Sequence, residues 1–132
     1  MVQKYLLFFI IFGFLGWGID TIYRSIRLNK YSPGTLIPYF AITFGTGGAA
    51  LILLFEYAQT SLLNHIILGG ILVTLIELIS GIISYNLLNK RLWDYSKNKY
   101  NFLGHIDLLH TFYWFIMAGI LRLMLSMFPK LF

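Results

Sequence analysis

Long apolar runs separated by short polar segments dominate the pattern of this chain. Four runs are close to, or longer than, the roughly 20 residues that a membrane-spanning helix needs, and none alternates as a strand would. We therefore predict four helices, at about residues 5–27, 36–57, 62–88 and 103–128. Only the connection between the third and fourth helices, residues 89–102, has room for structure of its own.

The composition supports a chain that lies in a bilayer. Hydrophobic residues make up 58% of it and charged residues only 11%, whereas soluble domains carry about 25% charged residues. The mean hydropathy is +0.76, and there is no cysteine. These values exclude a disordered chain, a nucleic-acid-binding domain and a secreted disulfide scaffold. We predict a single all-α transmembrane domain over residues 1–132, in contact with membrane lipids and not with nucleic acid.

The distribution of Lys and Arg predicts how the helices are oriented. The first and third connecting regions together hold seven positive residues: Arg24, Arg27, Lys30, Lys90, Arg91, Lys97 and Lys99. The other side has at most Lys4, Arg122 and Lys130. The positive-inside rule then places both basic loops in the cytoplasm and both termini outside. The predicted location is the cytoplasmic (cell) membrane, crossed several times.

Ionisable side chains inside the apolar runs are the candidate functional residues, because such groups are costly in hydrocarbon unless they are paired or used. At about 100° per residue, Asp20 and Glu77 each share a helix face with small and polar residues, and Asp107 shares one with His110. With Arg24, these groups gather in the cytoplasmic half of the bundle. We predict a ligand or proton site there, although Glu77 also fits a purely structural tie between helices.

A metal site in the segment from His105 to His110 is a further possibility. On a continuous helix His105 would point about 160° away from the face of Asp107 and His110. We therefore favour a hydrogen bond from His110 to Asp107 that fixes the histidine tautomer. No metal and no cofactor is predicted. The glycines of Gly45–Gly48 fit either close helix packing or a broken helix that lines a pathway.

Several residues together resemble the CmpB/TMEM229 family of small membrane proteins. The resemblance rests on Gly16, Trp17, Asp20, Tyr23, Arg24 and Ser25, on Leu92, Trp93, Asp94, Tyr95 and Ser96, and on Asn101 and Gly104. Members of this family are often labelled type IV ABC-transporter permeases. The resemblance therefore implies a role in transport, although the chain contains no ATPase motif.

The aromatic and basic loop around Trp93 is expected to be ordered and folded back against the ends of the first and fourth helices. Its rings suit either an anchor at the membrane interface or a gate at the cytoplasmic mouth. We expect Asp94 to lie close to Arg24 and Arg27.

The leading functional hypothesis is a small, non-enzymatic transport component, permease or channel-like, with its polar site in the cytoplasmic half. Four helices make a thin wall around a pathway, so a homodimer or a membrane partner protein is expected. The alternatives are a membrane enzyme acting on a lipid or amphiphile, with Asp107 and His110 as base and orienting group, and a structural or regulatory subunit.

Overall fold

The structure is a computed structural model that describes residues 2–128, so the predicted outer charge of Lys130 lies outside the described residues. It is mostly helical. The elements are α1 (Val2–Leu28), α2 (Ile42–Tyr57), α3 (Leu62–Asn86), β1 (Asn101–Phe102), β2 (Ile106–Asp107) and α4 (Leu108–Met127). Within residues 2–128, α1, α3 and α4 are long and apolar enough to cross a membrane. The four predicted helices are present, and the protein is a membrane protein.

The second helix begins later than predicted, at Ile42 instead of residue 36. Residues 36–41 are apolar, but Tyr39 has a φ of 63°, and the Phe40 N–H donates to the Ile37 carbonyl in a turn. Hydropathy cannot distinguish such a turn from helix. The 16 residues of α2 span only about 24 Å, which is less than the roughly 30 Å of a hydrocarbon core.

The fourth helix also begins later than predicted, at Leu108 instead of residue 103. Residues 101–107 form a small antiparallel hairpin in which Asn101 pairs with Asp107. Positive φ angles at Leu103 (54°) and Gly104 (72°) are incompatible with an α-helix. The helical-face argument that separated His105 from Asp107 and His110 is therefore wrong, because these residues do not share one helix.

Glycines let the helices approach closely. A Phe ring from a neighbouring segment covers each of four of them: Phe40 lies over Gly13, Phe44 over Gly16, Phe12 over Gly48 and Phe115 over Gly70. The α2 helix is continuous through Gly45–Gly48, so the alternative of a broken helix is wrong and the glycines serve packing. The closest packing is within the pairs α1–α2 and α3–α4, and α2 joins the two pairs by packing on α3.

The two ends of the bundle differ in their connections. One end, called the hairpin end below, carries residues 29–41 and the segment 87–107 with its β-hairpin. At the opposite end a short link joins α2 to α3. There Lys4 forms an ion pair with Glu56 (3.1 Å), and the Arg122 Nε donates to His65 Nδ1 (3.0 Å).

Candidate functional site

A cavity of about 630 Å³ lies at the hairpin end. Side chains from all four helices and from both connecting segments of that end form its walls. Three of the predicted site residues line it: Asp20 from α1, Glu77 from α3 and His110 from α4. The helical spacing that grouped them on inward faces is what brings them to one space. Arg24 and Asp107 do not line it. Asp107 is hydrogen-bonded to the lining residue His110, and Arg24 donates to the carbonyl of Ser32 in the neighbouring connecting segment.

Glu77 is the most buried acid of the cavity wall, with 4% of its surface exposed. Both carboxyl oxygens accept a hydrogen bond: Oε1 from the Tyr95 hydroxyl (3.0 Å) and Oε2 from the Trp114 Nε1–H (2.8 Å). Two donors on one carboxyl group offset much of the cost of its burial. Glu77 therefore joins α3 to α4 and to the loop, and it still faces the cavity.

Tyr95 reaches the cavity from the loop between α3 and α4. Its ring stacks on the His110 ring at a centroid distance of 4.0 Å and an angle of 10°. Burial is the main reason why the pKa of Tyr95 lies well above its usual value, and the neighbouring Glu77 carboxyl group raises it further. The phenol thus stays protonated and is a permanent hydrogen-bond donor to Glu77.

His110 stands in a chain of hydrogen bonds that begins at the surface. Arg27 Nη1 donates to the Tyr23 oxygen (2.9 Å), and the Tyr23 hydroxyl lies 3.2 Å from His110 Nε2. On the other side of the ring, His110 Nδ1 lies 2.7 Å from Asp107 Oδ1. With Tyr23 donating to Nε2, the neutral ring carries its hydrogen on Nδ1 and donates it to Asp107. This is the hydrogen bond that the sequence predicted.

Asp107 holds His110 in place from behind the cavity wall. It is 2% exposed and is the N-cap of α4, where Oδ1 accepts the His110 backbone N–H (2.7 Å). Its Oδ2 accepts from Asn98 Nδ2. Burial alone would raise the pKa of Asp107, but the hydrogen bonds from His110 and Asn98 keep it below its usual range. Asp107 is therefore a fixed carboxylate that orients the histidine.

Asp20 is the acid of the cavity with the fewest partners. It is partly exposed, accepts a hydrogen bond from the Gly34 backbone N–H, and is within electrostatic range of Arg24 and His110. Arg24 makes no ion pair within residues 2–128 and instead donates from Nε to the Ser32 carbonyl (3.2 Å). Arg24 thus holds the first connecting segment, and its charge remains within electrostatic range of Asp20.

The loop that carries Trp93 is ordered and folded back onto the bundle. Trp93 lines the cavity and donates from Nε1 to the His105 carbonyl (2.8 Å). Asp94 forms its ion pair with Arg91 (2.5 Å), whereas Arg24 and Arg27 donate hydrogen bonds to Ser32 and Tyr23. The pKa of Asp94 is lowered mainly by the hydrogen bond that it accepts from the Ser96 N–H. The charge of Arg91 lowers it by a smaller amount.

The other family-motif residues close this loop on itself. The side-chain amide of Asn101 donates to the carbonyls of Ser96 (3.2 Å) and Asn98 (2.9 Å), and its Oδ1 accepts the Gly104 N–H (3.1 Å). Gly104 has a φ of 72°, which glycine adopts without strain, and its carbonyl accepts the Tyr95 N–H (2.9 Å). Asn101 and Gly104 thus set the position from which Tyr95 enters the cavity.

Two further residues lie beside the site. Trp17 packs edge-on against Tyr39 at 5.1 Å, and its buried Nε1 has no hydrogen-bond partner among residues 2–128. His105 is 4% exposed and rests against Gly81 of α3, near the ring of Tyr85. Burial lowers the pKa of His105, which favours the neutral ring. Neither residue lines the cavity.

Sequence reasoning missed two polar partners. Asn98 and Trp114 were not among the predicted site residues, yet they bind Asp107 and Glu77 respectively. Trp114 had a usable signal, because it lies four residues after His110 and therefore on the same face of α4. Asn98 had none, because its contact depends on the fold of an irregular loop.

A comparison with protein families gives a match over most of the chain. The model of the CmpB family, described as "Putative ABC-transporter type IV", matches residues 7–130. No curated protein and no solved structure matches the chain. The family match covers most of α1, the other three helices and the loop motif, and it confirms the resemblance seen in the sequence. The chain therefore belongs to the CmpB family.

Proposed function

We propose that this protein is a small transport component of the cell membrane, and that its ligand occupies the cavity at the hairpin end. The observation that carries the proposal is the meeting of Asp20, Glu77 and His110, from three different helices, on the wall of one cavity of about 630 Å³. Ligand pockets are typically of about 300–1,000 Å³, mostly apolar, with a few convergent polar groups. Ionisable groups in such a place mark transport pathways in membrane proteins.

The membrane arrangement is part of the proposal. The chain spans the cell membrane four times, with both termini outside and the hairpin end in the cytoplasm. The seven positive residues of the first and third connecting regions support this orientation. Since α2 is short for a span, the apolar residues 36–41 complete its crossing. A homodimer, or a complex with a membrane partner protein, supplies the rest of the wall around a pathway.

The test is a flux assay with the purified protein in lipid vesicles, using protons, alkali cations and small organic solutes of different charge. We expect flux of at least one of them, lost in Glu77→Gln because this substitution removes the buried ionisable carboxyl group of the cavity wall. The matched control is Glu56→Gln, which makes the same change at the opposite end of the bundle, where Glu56 is bonded to Lys4 and Tyr5. Glu56→Gln should leave flux unchanged.

The outcomes separate transport from the alternatives. Absence of flux in folded, inserted wild-type protein, or flux that is unchanged by Glu77→Gln, contradicts the proposal. A second candidate, a membrane enzyme, is favoured by the hydrogen bond from His110 to Asp107 beside the cavity. Asp107→Asn keeps the N-cap acceptor but removes the charge behind the histidine. Flux that survives Asp107→Asn supports transport by the cavity over catalysis by the histidine.

A further inference from the structure

The charge of the cavity wall has a definite sign. Its ionisable lining residues, apart from tyrosines, are Asp20, Glu77 and His110, and no Lys or Arg between residues 2 and 128 lines it. The nearby arginines of the described chain lie behind the wall. Arg24 donates to the Ser32 carbonyl and is within electrostatic range of Asp20. Arg27 donates to the hydroxyl of Tyr23, which is itself a residue of the wall. The third one, Arg91, pairs with Asp94. The hairpin end as a whole is basic, but the cavity inside it is acidic.

The two carboxyl groups are not equally available. Both oxygens of Glu77 already accept hydrogen bonds from Tyr95 and Trp114. Asp20 forms no ion pair within residues 2–128, and it lies partly exposed on the wall. A carboxylate in an apolar wall is stabilised most by a cation that comes close to it. Asp20 is therefore the first counter-ion for a ligand, with Glu77 as the second.

The rest of the wall is apolar and aromatic. Rings of Phe44, Trp93, Tyr95, Tyr113 and Trp114 line it, and such faces attract organic cations through their π-electrons. A metal ion, by contrast, would need oxygen or nitrogen ligands around it in place of these rings.

The cavity reaches the outer surface of the bundle along an apolar rim. Ile19, Ile79 and Ile116 line the cavity, and their exposed fractions are 51%, 54% and 44%. An apolar molecule dissolved in the bilayer can therefore meet the cavity from the side.

We propose that the cavity binds a hydrophobic organic amine as its ammonium ion, with the ammonium group at Asp20 and Glu77 and the apolar body against the aromatic wall. This inference rests on the proposed function only in taking the cavity as the ligand site. The ligand is a free monocation and not a zwitterionic aminolipid, because a lipid phosphate would find no Lys or Arg on the wall.

The test measures equilibrium binding, not flux, by titration calorimetry of the full chain in phosphatidylcholine nanodiscs. The probes are 4-phenylbutylamine, 4-phenylbutanol and 4-phenylbutyrate, which share a skeleton and carry charges of +1, 0 and −1. We expect the amine to bind at least about tenfold more tightly than the alcohol, a ratio that corresponds to about 1.4 kcal/mol, and the carboxylate not to bind. Asp20→Asn should remove the preference for the amine, and Glu56→Gln should retain it.

Three results would overturn the inference. The first is equal or stronger binding of the alcohol or the carboxylate, and the second is no binding of the amine by folded protein. The third is displacement of the amine by phosphatidylethanolamine added to the nanodiscs, which would identify an aminolipid headgroup as the ligand. If Asp20→Asn fails to fold, Asp20→Glu replaces it and should keep the preference. Binding of the amine without any flux would uphold this inference while contradicting transport.

Discussion

At the scale of single residues, Asp107 has three hydrogen-bonding roles at once. It caps α4, accepts a hydrogen bond from the Nδ1–H of His110 and accepts another from the side-chain amide of Asn98. Only 2% of its surface is exposed. Removing such a buried acceptor leaves several donors without a partner, which costs about 1–3 kcal/mol for each unsatisfied group. The stability of the hairpin end and the orientation of the cavity histidine therefore depend on the same carboxylate.

Asp107→Ala should lower the free energy of unfolding by about 3 kcal/mol or more, because it leaves the His110 N–H, the His110 Nδ1–H and the Asn98 amide without their acceptor. Asp107→Asn, which keeps the cap acceptor, should cost less. Thermal unfolding in detergent measures both. An equal loss of unfolding free energy in the two variants would show that the N-cap hydrogen bond does not contribute to stability.

The same residue predicts a direction of pH dependence. Hydrogen bonds hold the pKa of Asp107 below its usual value of about 4. Its contribution to stability is therefore present above that pH and is lost as the pH falls through the lower pKa of the folded state. The loss caused by Asp107→Ala should accordingly shrink when unfolding is measured below about pH 4.

Part of the wall of the candidate site could be predicted from the sequence. The spacing of residues on helices identified Asp20, Glu77 and His110, because a helix fixes the direction of a side chain from its position. Tyr95 and Asn98 could not be placed in the same way. Their contacts depend on the turns made by Asn101 and Gly104, which carry no periodic signal. The family motif marked the loop, but not where it sends the tyrosine.

At the scale of elements, the α1–α2 pair shows how glycine decides the distance between helices. A Cβ added at Gly45 would lie 2.6 Å from the Phe9 carbonyl oxygen, a backbone atom that cannot move without its helix. A Cβ added at Gly18, on the same pair of helices, would meet nothing within 4 Å. The two glycines are therefore a matched pair for testing close packing.

Gly45→Ala should destabilise the protein by about 1–3 kcal/mol, because α1 and α2 must separate to admit the methyl group. Gly18→Ala should be neutral or stabilising by up to about 1 kcal/mol, since alanine favours the helix. Chemical unfolding of both variants in the same detergent is the measurement. If the two alanines have the same effect, the closeness of α1 and α2 does not contribute to stability.

The existence and order of the four helices could be predicted, but the residues at which α2 and α4 begin could not. The segments before Ile42 and Leu108 are as apolar as the helices that follow, so hydropathy extends each helix too far. For α4 a signal was present. An Asp followed by an apolar helical run is a common N-cap pattern, and Asp107 fits it. The N-cap of α2 is Ala41, whose methyl side chain cannot accept a hydrogen bond, so the start of α2 carries no comparable signal.

At the scale of the whole molecule, the proposed orientation can be tested with single cysteines, since the native chain has none. Gln59, in the link at the opposite end, and Ser96, in the loop of the hairpin end, are both exposed. In intact cells a membrane-impermeant maleimide should label Gln59→Cys, while Ser96→Cys should react only after permeabilisation. Labelling of both from one side would contradict the four-span arrangement, and the reverse pattern would contradict its orientation.

The close packing of α1 on α2 and of α3 on α4 has a consequence for how the protein is made. Each pair comes from one continuous half of the chain, so the first pair can finish packing while the ribosome is still synthesising the second. The cavity has walls from both halves and therefore does not exist at that stage. The acids of the early and late helices, Asp20 and Glu77, meet only when the second pair docks. Formation of the acidic cavity thus marks the completion of biosynthetic assembly.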